Sequence, residues 1–260
     1  MIDVALTPAD LRPADVAVVI DVLRATSTAT QALASGYHRV LCADSIERAV
    51  ALRAPGRVLA GEQRCVVPPG FDMGNSPIEA TLRHGDELVL ATTNGAPAIV
   101  ATARHAPRVL LACLLNLESV LGALRCDEHQ TERDIQIVCS GTDGEVALED
   151  VYVAGRICAR LEGQRTDVAL IAEALAATYP TPLQALSASR NARTLTAVGL
   201  EHDIGYCARE SELDVVPAVR AAIPGVATVD ASATVDSINQ AEHPLSCSGL
   251  MAGSRSEPAT

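Results

Sequence analysis

The chain contains no tryptophan and no lysine, and only one phenylalanine and four tyrosines among its 260 residues. Without Lys there is no catalytic amine, no Schiff base and no phosphate loop of the G-x-x-x-x-G-K-[ST] type, and Arg is the only side chain that stays cationic at neutral pH. With aromatics at 2% and apolar residues at 48%, the core must be assembled from Ala, Val, Leu and Ile. Positive charge is in short supply: 32 acidic residues face 20 basic ones, a formal net charge of −12, which argues against sequence-independent binding to nucleic acid. Such a protein holds an anion only locally, through Arg, helix N-termini or a divalent cation. No apolar run is long enough to span a bilayer and the start, Met1-Ile2-Asp3-Val4, lacks a basic segment, so a soluble, cytoplasmic protein with no membrane partner is expected. The eight Cys form no C-x-x-C pair, and several fall inside apolar patterns. They are expected to be small buried hydrophobes in a reducing compartment rather than zinc ligands.

What is present is a recurring strand–corner–helix unit. Val16 to Ile20 is a β-branched run that ends on Asp21, Arg24, Thr26, Ser27 and Thr28, followed by small helix-tolerant residues to Leu33, with Thr26 or Ser27 as the cap. Arg39–Ala43 and Arg57–Ala60 are further strands, the first followed by a helix with Asp44 and Glu47 as a capping box and the second by Gly61-Glu62-Gln63-Arg64. Ser76-Pro77-Ile78-Glu79 spells a helix start after a Gly- and Pro-rich loop. Glu87–Ala91 ends in Thr92-Thr93-Asn94-Gly95, and Arg108–Ala112 leads to a helix capped by Asn116. Asp134–Cys139 ends in Ser140-Gly141, ahead of a helix over Leu148–Leu161. Alternation of this kind predicts an α/β fold, a mostly parallel sheet with helices on both faces, arranged as one large domain over residues 1–224 or as two lobes sharing a sheet. After Gly163 the pattern turns helical over Asp167–Thr178 and Pro182–Leu200. A last short strand is expected at Ile204–Ala208, then a loose tail over residues 225–260.

Asp21 and Arg24, Glu62 and Arg64, Thr92 to Asn94, and Ser140 all fall at the carboxyl ends of strands. In a parallel sheet those ends share one edge, and helix N-termini at Thr26, Ser76 and Gly95 would point into the same cleft. Each corner alone is ordinary turn and cap chemistry. Four together favour a shared anion and metal site.

The segments Val19–Thr28, Gly61-Glu62, Gly70-Phe71-Asp72-Met73-Gly74-Asn75-Ser76-Pro77, Thr92–Gly95 and Leu148-Glu149-Asp150 resemble the 2-phosphosulfolactate phosphatases, the ComB family, over roughly Val16 to Val219. The resemblance implies a Mg²⁺-dependent phosphatase hydrolysing (2R)-2-phospho-3-sulfolactate to 3-sulfolactate and phosphate, a step towards coenzyme M in some organisms. Phosphate monoester hydrolysis needs an in-line nucleophile, neutralised equatorial oxygens and a stabilised leaving alkoxide. The expected metal ligands are Asp21, Glu62 and Asp150, and the expected catalytic residues are Asp21, Arg24 and Asp72. Arg64, Thr26, Ser27, Asn75, Ser76, Thr93, Asn94, Gly95 and Ser140 are expected to bind the substrate. Attack by a metal-activated water with Asp21 or Asp72 as base and covalent catalysis by Asp21 both remain open. So do another small phospho-hydroxy acid as substrate and a non-catalytic anion-binding protein, and a homodimer is the expected assembly. A haloacid-dehalogenase nucleophile would need a second Asp where Leu23 stands, and the C-x₅-R match Cys42 to Arg48 lacks the glycines of a phosphate loop and carries Asp44 and Glu47.

Overall fold

The computed structural model describes residues 1–82, 85–125 and 133–232. In chain order its elements are β1 (Ile2–Ala5), β2 (Val16–Ile20), α1 (Ala25–Ala34), β3 (Arg39–Ala43), α2 (Ile46–Ala51), β4 (Arg57–Gly61), α3 (Pro77–Leu82) and β5 (Glu87–Ala91). Then come α4 (Gly95–Thr102), β6 (Arg108–Ala112), α5 (Leu117–Arg125), β7 (Ile135–Cys139), α6 (Leu148–Cys158) and α7 (Asp167–Thr178). The chain continues through α8 (Pro182–Ala188), α9 (Arg190–Ala197), α10 (Glu201–Cys207), β8 (Val216–Ile223) and β9 (Val226–Ser232). Nine strands make one sheet in the order β1-β7-β2-β6-β8-β9-β3-β5-β4. The expected α/β class and mostly parallel sheet are what the structure shows.

Two parallel sets make up the sheet, β1-β7-β2-β6 and β3-β5-β4. Between them the antiparallel hairpin β8–β9 reverses the strand direction, so the two sets run in opposite senses and a flat sheet could not share one carboxyl edge. Both sets pack on α1 and α4. Ala25, Ala29, Ala96 and Ile99 of these helices form one cluster with Ala17 and Val19 of β2 and with Cys42 of β3 and Leu90 of β5. Small residues let the helices lie close to the strands, and nine of the ten α1 residues are buried. The outer face of the first set packs on α5 to α10, and α2 covers the second.

Several expectations change. Ile204–Cys207 is helix rather than strand: Ile204 and Cys207 are buried one turn apart and Glu201 and Asp203 sit in the first turn, where acids suit the dipole. Residues 226–232 are not loose tail but the strand β9, hydrogen-bonded on both sides; residues beyond 232 lie outside the described residues. The stretch Pro182–Leu200 is two helices, broken where Ser189 caps α9. Ser45, not Asp44, caps α2, and Asn116 spends its side chain on Cys113 N–H, Leu111 O and Val215 O. Five free cysteines, 42, 113, 139, 158 and 207, are buried and Cys65 is half-buried, whereas Cys126 and Cys247 lie outside the described residues. Among the described residues no helix is long and apolar enough to cross a membrane.

Candidate active site

β2 ends at Asp21, and the turn into α1 is tied by its own hydroxyls. Thr26 Oγ1 donates to Asp21 O (2.8 Å) and accepts from Asp21 N–H (3.1 Å), while Ser27 Oγ donates to Val22 O (2.8 Å). Thr26 and Ser27 are buried and brace the turn, outside the residues that line the cleft, and neither caps α1. The first N–H of α1, on Ala25, is taken instead by Asp21 Oδ1 (3.1 Å). Gly95 opens α4 against the other oxygen. A Cβ there would overlap Asp21 Oδ2, so glycine lets the carboxylate come this close but lends it no side chain.

Around Asp21 lies a cleft of about 360 Å³, a size suited to a small ligand. It is lined by Asp21, Leu23 and Arg24 from the β2–α1 turn, by Glu62, Arg64 and Cys65 after β4, and by Asn75 before α3. Thr93 and Asn94 come from the end of β5, Thr142 and Asp143 follow β7, and α9 adds Arg190, Asn191, Thr194 and Leu195. Of the residues singled out from sequence, Asp21, Arg24, Glu62, Arg64, Asn75, Thr93 and Asn94 thus meet in one place.

The others stand apart for identifiable reasons. Asp72 is held by Leu59 N–H (2.8 Å) and Arg53 (3.4 Å) outside the cleft lining. Both oxygens of Asp150 are taken, Oδ1 by Val22 N–H (3.0 Å) and Oδ2 by Ser140 Oγ (3.1 Å) and Gly141 N–H (3.2 Å), so it staples the ends of β2 and β7. Ser140 thereby faces Asp150. Ser76 caps α3 through Glu79 N–H (3.3 Å) and gives its proton to Asp203 Oδ1 (2.7 Å). Asp203 itself escaped the sequence analysis; its Oδ2 takes Arg24 Nη1 at 2.6 Å, a buried ion pair that fixes the guanidinium at the cleft. The α9 residues were missed too, although a Ser cap followed by Arg190 and Asn191 marks a polar helix start.

Glu62 is held by Thr93 N–H (2.8 Å) and Cys65 N–H (2.8 Å) with Thr93 Oγ1 at 3.2 Å, which fixes its direction while leaving lone pairs free. Among the described residues no donor reaches the buried Asn75 Oδ1. Among the described residues nothing hydrogen-bonds the Arg64 guanidinium. Burial first, then repulsion from Glu62 and Glu149, lifts the Asp21 carboxyl from 3.8 to about 7, against the opposing pull of Ala25 N–H and Arg24. Burial likewise raises Glu149 and, with Asp21 and Glu149 beside it, Asp150. Asp21 thus exchanges a proton near neutral pH inside a cleft, the property wanted of a general base. Cys42, the nucleophile of the rejected C-x₅-R match, lies wholly buried in β3 and burial pushes its thiol up to about 12.

A divalent cation would suit this donor set: two carboxylates line one cavity with Asn75, whose buried amide oxygen has no donor among the described residues, and hard divalent ions take oxygen ligands with one or two carboxylates among them. Among the described residues there is no group of three His, Cys, Asp or Glu placed to hold an ion, and both oxygens of Asp150 are engaged elsewhere.

The family description "2-phosphosulpholactate phosphatase" matches residues 2–222. The chain is 40% identical to a "Probable 2-phosphosulfolactate phosphatase" of Thermus thermophilus over 79% of its length and 88% of that protein. Proteins of the same name from Pseudothermotoga lettingae (38%, covering 84% of this chain and 95% of that protein) and Deinococcus radiodurans (40%, 81% and 89%) are similar over comparable spans. By these matches this chain belongs to the 2-phosphosulfolactate phosphatase family, an enzyme family of phosphoric monoester hydrolases.

Proposed function

We propose that the protein hydrolyses (2R)-2-phospho-3-sulfolactate to 3-sulfolactate and phosphate in a Mg²⁺-dependent reaction. The observation that carries this reading is the pairing of a near-neutral Asp21 with three guanidiniums, Arg24, Arg64 and Arg190, in one cleft of an otherwise acidic chain. Similarity to proteins named for that substrate supports its identity.

Glu62 and Asn75 Oδ1 would hold the Mg²⁺, which when bound neutralises phosphoryl oxygens and lowers the pKa of water. Arg64, whose guanidinium has no partner among the described residues, binds the phosphate; Arg24, locked by Asp203, contributes a fixed positive charge beside Asp21. Asp21 accepts the proton of the attacking water, its carboxylate aimed by Ala25 N–H and by the close approach of Gly95. Thr93 orients Glu62, and Asn94 Oδ1 holds Asp143 N–H (3.0 Å) at the opposite lip. Leu23 and Leu195 supply apolar wall that limits water around the ester.

The test is phosphate release from a panel of small phospho-hydroxy acids, with Mg²⁺ and with EDTA. Turnover of 2-phosphosulfolactate above the other esters, abolished by EDTA and restored by Mg²⁺, is expected. Uniform inactivity of the folded protein overturns the proposal, and turnover insensitive to EDTA overturns its metal requirement.

A further inference from the structure

This inference rests on the substrate proposed above, which carries three anionic groups. Phosphate and carboxylate are both attached at C2, whereas the sulfonate is on C3, the end remote from phosphorus. The three cleft guanidiniums come from three separate segments and are not equivalent. Arg24 is tied to Asp203 (2.6 Å) and its charge falls on Asp21. Arg64 bonds through its backbone N–H to Thr93 Oγ1 (3.4 Å), the residue that also holds Glu62. Arg24 thus acts on Asp21, and Arg64 sits in the segment that holds Glu62.

Arg190 is carried by a separate element. It is the first residue of α9, exposed at the cleft, and its Nη2 donates to Thr142 O (2.9 Å). Its charge is felt at Glu149, whereas Arg24 is the cation felt at Asp21. The other polar α9 residues at the cleft are already committed: Asn191 Nδ2 to Leu23 O (2.6 Å) and Thr194 Oγ1 to Arg190 O (3.3 Å). Among the described residues, Nε and Nη1 of Arg190 have no acceptor. A guanidinium braced on one nitrogen and free on the others is well formed to take a planar edge of an oxyanion.

We propose that Arg190 is a specificity-determining residue whose guanidinium binds the C3 sulfonate, while Arg64 takes the phosphate. The experiment measures kcat/KM for 2-phosphosulfolactate and for 2-phospholactate, the same ester without the sulfonate, in the wild-type protein, Arg190→Gln and Arg64→Gln, all with Mg²⁺. The loss caused by Arg190→Gln is expected to be about 10- to 100-fold greater on 2-phosphosulfolactate than on 2-phospholactate, whereas Arg64→Gln lowers both alike. Equal losses on the two esters in Arg190→Gln, or none on either, overturn the assignment. Wild-type protein that cleaves phosphate esters yet shows no preference for the sulfonated one defeats the substrate reading on its own, and the assignment of Arg190 falls with it.

Discussion

Replacing Asp21 by Asn should make the metal-free protein more stable. Burial and the neighbouring Glu62 and Glu149 raise this carboxyl from 3.8 to about 7, roughly three pK units. At about 1.36 kcal/mol per unit, keeping it ionised costs the folded chain about 4 kcal/mol above that pKa. Because the folded pKa is raised, the native state binds the proton more tightly than the unfolded chain, so stability from this group declines as pH climbs from 3.8 through about 7. Asn is neutral throughout and keeps an oxygen for Ala25 N–H. In EDTA, Asp21→Asn should exceed wild type by about 4 kcal/mol near pH 8, about 2 kcal/mol near pH 5 and less than about 1 kcal/mol near pH 4. For a chain of this size the first figure corresponds to a rise in Tm of roughly 8–16 °C. Urea unfolding followed by circular dichroism across this pH range is the assay. A variant no more stable than wild type near pH 8, or a difference independent of pH, would refute the reasoning.

Three further substitutions probe the supporting geometry. Gly95→Ala puts a methyl onto Asp21 Oδ2, so kcat should fall by at least about tenfold and stability by about 1–3 kcal/mol in thermal unfolding. Asp203→Asn leaves Arg24 buried without its carboxylate and should lower stability by about 3–5 kcal/mol, with Asp203→Glu recovering part of it. Thr26→Val removes both hydrogen bonds to the Asp21 backbone. It should cost about 1–3 kcal/mol of stability while KM stays within about twofold, a result that separates a brace from a substrate ligand.

The alternating strands and helices were legible because strands are short apolar runs and several helices open on a Ser or Thr cap, as at Ser76 and Thr166. The reversal of the sheet was not. It depends on β8 and β9, whose Ala, Thr and Ser carry little periodicity, although Pro224-Gly225 between them is a turn signal that could have marked a hairpin. Asp21, Glu62 and Thr93 stood out in sequence because polar residues ending apolar strands are conspicuous. The cleft nonetheless does not lie along one common carboxyl edge, because the β8–β9 hairpin reverses the strand direction between the two parallel sets. Asp150 and Ser140 look equally polar in sequence, yet the structure turns them towards the β2 and β7 ends. Arg190 and Asp203 lie far along the chain on helices where charge usually means a solvated face, and only packing of α9 and α10 against the β2–α1 turn gives them a role.

The account stands most directly on Asp21 as the proton acceptor for water, which the kcat of folded Asp21→Asn on 2-phosphosulfolactate, with Mg²⁺ near pH 8, addresses in one measurement. A fall of about 10²–10⁴-fold with KM little changed is predicted. A kcat close to wild type in that variant would contradict it.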